Sequence, residues 1–128
     1  MPQLVLEYSG NLDFPIQPLL ARLHESLAAT GAIRLQGLKS RAIRQIEFRI
    51  AEGNPEYAFV HVELRIRQGR PVEVQREAAA RVMAVLQDEF RDRLETGFLS
   101  LSVDLQEMRN DIALTVHNIP GPLSPPRG

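Results

Sequence analysis

Tyr57-Ala-Phe-Val-His-Val-Glu-Leu-Arg-Ile-Arg67 is the stretch that decides the fold. Ala58, Val60, Val62, Leu64 and Ile66 point one way, while Phe59, His61, Glu63, Arg65 and Arg67 point the other. Successive side chains of an extended chain leave on opposite faces, so this run reads as a half-buried strand. Gln68-Gly69-Arg70 links it to a helical pattern opening at about Pro71, with Ala79, Val82, Leu86 and Phe90 as its apolar stripe. Glu77/Arg81 and Glu89/Arg93 stand four residues apart on the solvated side of that helix. Residues 98–106 alternate again, with Leu99, Leu101, Val103 and Leu105 opposite Ser100, Ser102 and Asp104, and predict a closing strand.

The N-terminal half repeats this order. Residues 2–8 read as a strand, ended by the turn cluster Ser9-Gly10-Asn11. Asp13 is the expected cap of a helix with Pro15 in its first turn, a stripe of Ile16, Leu19, Leu20, Leu23 and Leu27, and a stop at Gly31. Residues 38–51 read as a strand, with Ala42, Ile46, Phe48 and Ile50 on one side and Lys39, Arg41, Gln45, Glu47 and Arg49 on the other; Gly53-Asn54-Pro55 then turns the chain. The predicted class is α+β: a pair of β-α-β units, four main strands, and two helices packed on one sheet face. The domain spans 1–108, and 109–128 is a C-terminal extension, expected to be extended or disordered over 119–128. The other sheet face carries Lys39, Arg41, Phe59, His61 and Arg65. It is too apolar and too charged to be left merely wet, and a subunit interface accounts for it.

The chain has 128 residues, 44% hydrophobic and 24% charged, with a formal net charge of -1. That size suits one domain with a real core, near the range where an oligomer interface adds stability. The charge balance gives no electrostatic footing for nucleic acid. Cysteine is absent, which excludes disulfides and thiolate metal sites. No segment approaches the roughly 20 apolar residues needed to span a bilayer, and the N-terminus lacks a basic stretch followed by an apolar one. No membrane partner is expected, and the expected location is the cytoplasm. Lys39 is the single lysine among many arginines, and guanidinium groups are suited to gripping carboxylates with two bonds at once.

Pro2 opens the first strand. Once Met1 is removed, its nitrogen becomes a secondary amine; an ordinary α-amino group titrates near pKa ~8, and an apolar wall disfavours its charged form. Such an amine is a candidate general base near neutral pH. With Met1 retained, the same nitrogen is a tertiary amide without useful basicity, and a proline at position 2 also arises by chance. Lys39 and Arg41 open the second strand and Arg70 follows the third. Cations there can hold a dicarboxylate and stabilise an enolate, although by residue type alone surface solvation or a salt bridge is the commoner role of either arginine. His24, His61 and His117 lie in different elements without metal-ligand spacing, so no metal site is expected. Gly31 and Gly37 are too isolated for a phosphate loop, and no Gly-x-Ser-x-Gly elbow is present.

Taken together, Pro2 at a strand opening, Leu27-Ala-Ala-Thr-Gly31, Leu38-Lys-Ser-Arg41, Tyr57-Ala-Phe-Val-His61 and Gly69-Arg70 resemble the 5-carboxymethyl-2-hydroxymuconate isomerase family of the tautomerase superfamily. The likeness runs over about residues 2–107. It implies a homotrimer with active sites near subunit boundaries, in which an amino-terminal proline shuttles a proton with no metal or cofactor. The implied activity is keto-enol tautomerisation of 5-carboxymethyl-2-hydroxymuconate or a related unsaturated 2-hydroxy acid of aromatic catabolism. Pro2 is then the general base and acid, while Lys39, Arg41 and Arg70 bind the di- or tricarboxylate substrate. Lys39 stands where the family has an arginine before Ser-Arg, and an ammonium is a point charge without the guanidinium fork. Two other readings of the residues stay open: a non-catalytic trimeric binding or scaffold protein with this fold, and an unrelated small α+β domain whose sheet face makes a dimer.

Overall fold

A computed structural model describes residues 2–120. Along the chain run β1 (Gln3–Ser9), α1 (Ile16–Ala28), a 3-10 turn (Leu35–Gly37), β2 (Lys39–Gln45), β3 (Tyr57–Arg67), α2 (Val72–Glu89), α3 (Arg91–Thr96) and β4 (Phe98–Met108). β1 and β3 lie antiparallel at the centre of the sheet, with Leu6 opposite Val62. β2 pairs parallel with β1 and β4 parallel with β3, giving the order β2-β1-β3-β4. Parallel neighbours cannot be joined by a hairpin, so each pair needs a crossover, which α1 supplies in one half and α2 with α3 in the other. The two expected β-α-β units are present, and their antiparallel junction relates them by a pseudo-two-fold.

The alternation in β3 sets the core. Ala58, Val60, Val62, Leu64 and Ile66 are buried under the helices with Leu4, Leu6 and Tyr8 of β1. Facing them are Leu19, Leu20, Leu23 and Leu27 of α1 and Ala78, Val82 and Leu86 of α2. Each large aliphatic side chain taken fully out of water contributes about 1.5–3 kcal/mol. Tyr8, Phe14 and Phe90 close one end of this layer through edge-to-face contacts with ring centroids 4.8 and 5.1 Å apart. Both long helices start behind a proline: Pro15 and Pro71 are the N-caps themselves, in extended conformation, with no side-chain cap. Asp13 therefore does not cap α1, whose first turn closes from Leu19 N to Pro15 O at 3.2 Å. Gly31 adopts φ +77°, the left-handed turn expected after a helix.

Three further sequence expectations change. β2 ends at Gln45 instead of 51, because its neighbour β1 ends at Ser9, which pairs with Gln45, and no strand lies beyond to hold residues 46–51. Ile46 is accordingly 71% exposed, and Phe48 turns to the far face against Phe59, with ring centroids 6.1 Å apart. Ala78 replaces Ala79 in the α2 stripe. Periodicity permits either, and packing selects the row four residues apart through Val82, Leu86 and Phe90. Glu77 does pair with Arg81 at 3.2 Å, but Glu89 and Arg93 do not pair, because the helix breaks at Phe90 (φ -105°, ψ 23°). Glu89 instead meets Arg22 of α1 at 3.1 Å, and Arg93 Nη2 donates to Glu56 O at 3.1 Å. Residues 109–120 form no helix or strand. Most of the 119–128 stretch lies outside the described residues. Among those described, no helix is long and apolar enough to cross a membrane.

Candidate active site

One end of the sheet gathers the openings of β1 and β2 and the close of β3. Gln3 stands between Lys39 on one side and Arg65 on the other. Just before it, the carbonyl of Pro2 accepts a hydrogen bond from Lys39 N at 3.2 Å. Pro2 and Lys39 are both half-buried. The parallel register sets Ser40 opposite Leu4, on the helix side, so Lys39 and Arg41 emerge together on the face away from the helices. Two residues of extended chain separate them, about 7 Å. Arg41 is exposed and its Nη1 donates to Gln3 Oε1 at 2.9 Å.

Arg70 lies three residues past the end of β3 and is half-buried. Its Nε and Nη2 donate to Ala32 O at 3.2 and 2.8 Å, and its Nη1 donates to Arg67 O at 3.3 Å. The guanidinium thus ties the loop after α1 to the end of β3. A guanidinium has five N–H donors, so one remains on each Nη. The structure brings all four sequence-derived candidates, Pro2, Lys39, Arg41 and Arg70, to one end of the sheet. It does not join them to one another through side-chain hydrogen bonds among the described residues.

The three histidines are dispersed. His24 of α1 has its Nε2 2.6 Å from Ser40 Oγ on β2, in a cleft of about 310 Å³ lined by Gln17, Leu20, Ala21, His24 and Ser40. Burial holds the His24 imidazole below its usual pKa, favouring the neutral ring. His61 has Nδ1 2.6 Å from Ser102 Oγ on the open sheet face, across from Glu7. His117 Nδ1 accepts from Ile119 N at 3.1 Å. Among the described residues, no group of three or more histidines and carboxylates could hold a metal ion. A second cleft of about 360 Å³, lined by residues including Tyr8, Asn11, Asp13, Phe14 and Arg44, lies at the opposite end of β1 from Pro2.

Two residues at this end of the sheet escape a reading of the sequence. Gln3 was an undistinguished strand position, and only the β1–β2 register brings it to Arg41. His24 sits between the stripe leucines Leu20 and Leu27, and that placement at the rim of the apolar face was the one available sign that it meets the sheet. Chemically, an amine at Pro2 beside cations suits proton transfer next to a carbonyl, where the base moves the proton and the cations offset the enolate charge.

The chain is similar to known proteins over most of its length. The family model for 5-carboxymethyl-2-hydroxymuconate isomerase matches residues 2–121. The chain is 29% identical over 121 residues to a 5-carboxymethyl-2-hydroxymuconate Delta-isomerase of Escherichia coli, covering 93% of this chain and 96% of that one. The crystal structure of a 5-carboxymethyl-2-hydroxymuconate isomerase from Deinococcus radiodurans R1 is similar with a TM-score of 0.86 at 36% identity, over 92% of this chain and 90% of that chain. A fused 4-OT described as a symmetric trimer gives a TM-score of 0.72 at 14% identity, over 95% of this chain and 97% of that one, a likeness of fold alone.

Proposed function

The chain belongs to the 5-carboxymethyl-2-hydroxymuconate isomerase family, and from that membership we infer that it is an isomerase, a keto-enol tautomerase acting on 5-carboxymethyl-2-hydroxymuconate or a closely related unsaturated 2-hydroxy acid. We propose that it works as a cytoplasmic homotrimer, with 1–108 as the catalytic domain, 109–128 as an extension and the open sheet face turned to neighbouring subunits. The observation that carries the reading is the convergence of Pro2, Lys39 and Arg70 at one end of the sheet, in a chain the family model matches from its second residue.

With Met1 removed, the Pro2 amine takes the proton of the 2-hydroxyl. The oxygen's electron pair becomes the carbonyl, the conjugated double bonds shift, and a proton returns from Pro2 to a carbon at the other end of the system. Nothing is oxidised or reduced overall, so one group serving as base and then acid completes the reaction. Lys39, Arg41 and the free N–H pair of Arg70 hold the substrate carboxylates and offset the dienolate charge. The intact mass of the natural protein, read beside an ultraviolet assay with 2-hydroxymuconate-type dienols, tests this. Turnover unchanged in a chain that retains Met1, whose Pro2 nitrogen is an amide, sinks the proton shuttle, and no turnover by the Met1-free wild type sinks the activity.

A further inference from the structure

β2 is an edge strand, hydrogen-bonded to β1 on one side only. Two of its first three residues, Lys39 and Arg41, are the cations on which the proposed function rests. Between them stands Ser40, pointing the other way, toward α1, where its Oγ lies 2.6 Å from His24 Nε2. Other ties at the start of β2 are the backbone bond from Lys39 to Pro2 and the bond from Arg41 to Gln3. That last bond uses one of Arg41's five N–H donors and lies at an exposed side chain, where water competes for it. The His24–Ser40 contact, by contrast, is on the opposite face and can persist while substrate binds. It is also half-buried in the α1–β2 cleft, among Leu20 and Ala21, where water competes less for a hydrogen bond than at the surface.

We propose that His24 is a positioning residue: through Ser40 it fixes the backbone from which Lys39 and Arg41 project, and so sets the affinity for the carboxylate substrate without touching it. This rests on the reading of Lys39 and Arg41 as carboxylate binders. The neutral ring favoured by burial suits the role, since it keeps a third positive charge away from the two cations. A neutral hydrogen bond net of water contributes about 1 kcal/mol, which sets the scale of the effect at roughly 3- to 10-fold in affinity.

The test is a double-mutant cycle with His24→Ala and Ser40→Ala in the full chain, joined by His24→Gln, whose terminal amide can reach Ser40. Each is assayed for kcat and KM with a 2-hydroxymuconate-type dienol and for the Kd of the non-reacting dicarboxylate cis,cis-muconate. Expected are KM and Kd raised roughly 3- to 10-fold in each alanine variant, kcat within about twofold, no further loss in the double variant, and recovery in His24→Gln. A KM and Kd unmoved in His24→Ala, full additivity, or no recovery by glutamine overturns the inference. Circular dichroism establishes that each variant is folded; if His24→Ala is not, Ser40→Ala and His24→Gln decide on the same readouts. A wild type that binds muconate but turns over no dienol refutes the tautomerase reading while leaving this inference to stand on Kd. A wild type that does neither overturns both.

Discussion

Replacing Arg70 separates the loop tie that its guanidinium makes in the structure from the substrate contact proposed for it. Three of its donors reach main-chain carbonyls, two on Ala32 O and one on Arg67 O. Bonds from a charged donor contribute about 1.5–3 kcal/mol when made singly, and bonds sharing one oxygen are not additive. Arg70→Met should therefore lower stability by about 2–3 kcal/mol. For a chain of this size each kcal/mol moves the melting temperature by roughly 3–5 °C, so a fall of about 6–15 °C is expected. It is read by circular dichroism at fixed protein concentration, because association shifts the apparent midpoint. The remaining N–H on each Nη is proposed to meet a substrate carboxylate, and losing that pair should raise KM by roughly 10- to 100-fold. Arg70→Lys keeps the charge but not the fork, so it should fall between wild type and Arg70→Met on both scales. A melting temperature within about 2 °C of wild type in Arg70→Met would refute the loop tie. A KM within about twofold in the folded variant would refute substrate binding and leave Arg70 as structure alone.

Retention of Met1, which makes the Pro2 nitrogen an amide, should lower kcat by roughly 10²- to 10⁴-fold with little change in melting temperature, the usual share of a general acid-base group; stopped-flow ultraviolet absorbance measures it. Leu23→Ala, at a position with 0% exposure in α1, should cost about 2–5 kcal/mol through the cavity it leaves, visible in urea unfolding as a lower midpoint with unchanged slope. His24 is held below its usual pKa by burial, so between the lowered value and about 6.5 the unfolded chain binds more protons at this site than the folded one. Its contribution to stability is therefore present above about pH 6.5 and lost as pH falls toward the lowered value. Melting temperatures of wild type and His24→Gln taken from pH 8 to pH 5 should converge or cross in that window, and parallel curves would refute the assignment.

Much of the fold was legible because it rests on short-range pattern. The alternation of 57–67 and the leucines of α1 specify a strand and a helix from neighbours a few residues apart, and the order strand, helix, strand, twice over, leaves few topologies. Boundaries were less legible where they depend on a partner. Residues 46–50 carry a strand pattern as good as that of 39–45, and they leave the sheet because β1 stops at Ser9. Ala78 and Ala79 are equivalent to a helical period, and only packing against the rest of the core distinguishes them. Glu89 and Arg93 match a helical salt pair in sequence, and the break at Phe90 sends each to a different partner.

By itself the sequence determined the two β-α-β units, the buried face of β3, the absence of thiol chemistry, and the identity of Pro2, Lys39, Arg41 and Arg70 as the residues to watch. Each of these follows from residue type and local spacing. The tertiary structure alone decided that Ser40 meets His24 across the α1–β2 cleft, that Gln3 holds Arg41, and that Arg70 has three of its donors bound to main-chain carbonyls and two left over. All but the Arg70–Arg67 bond join residues far apart in the chain, and they exist only because strand register and helix placement, fixed by burial of the whole core, bring one particular donor to one particular acceptor.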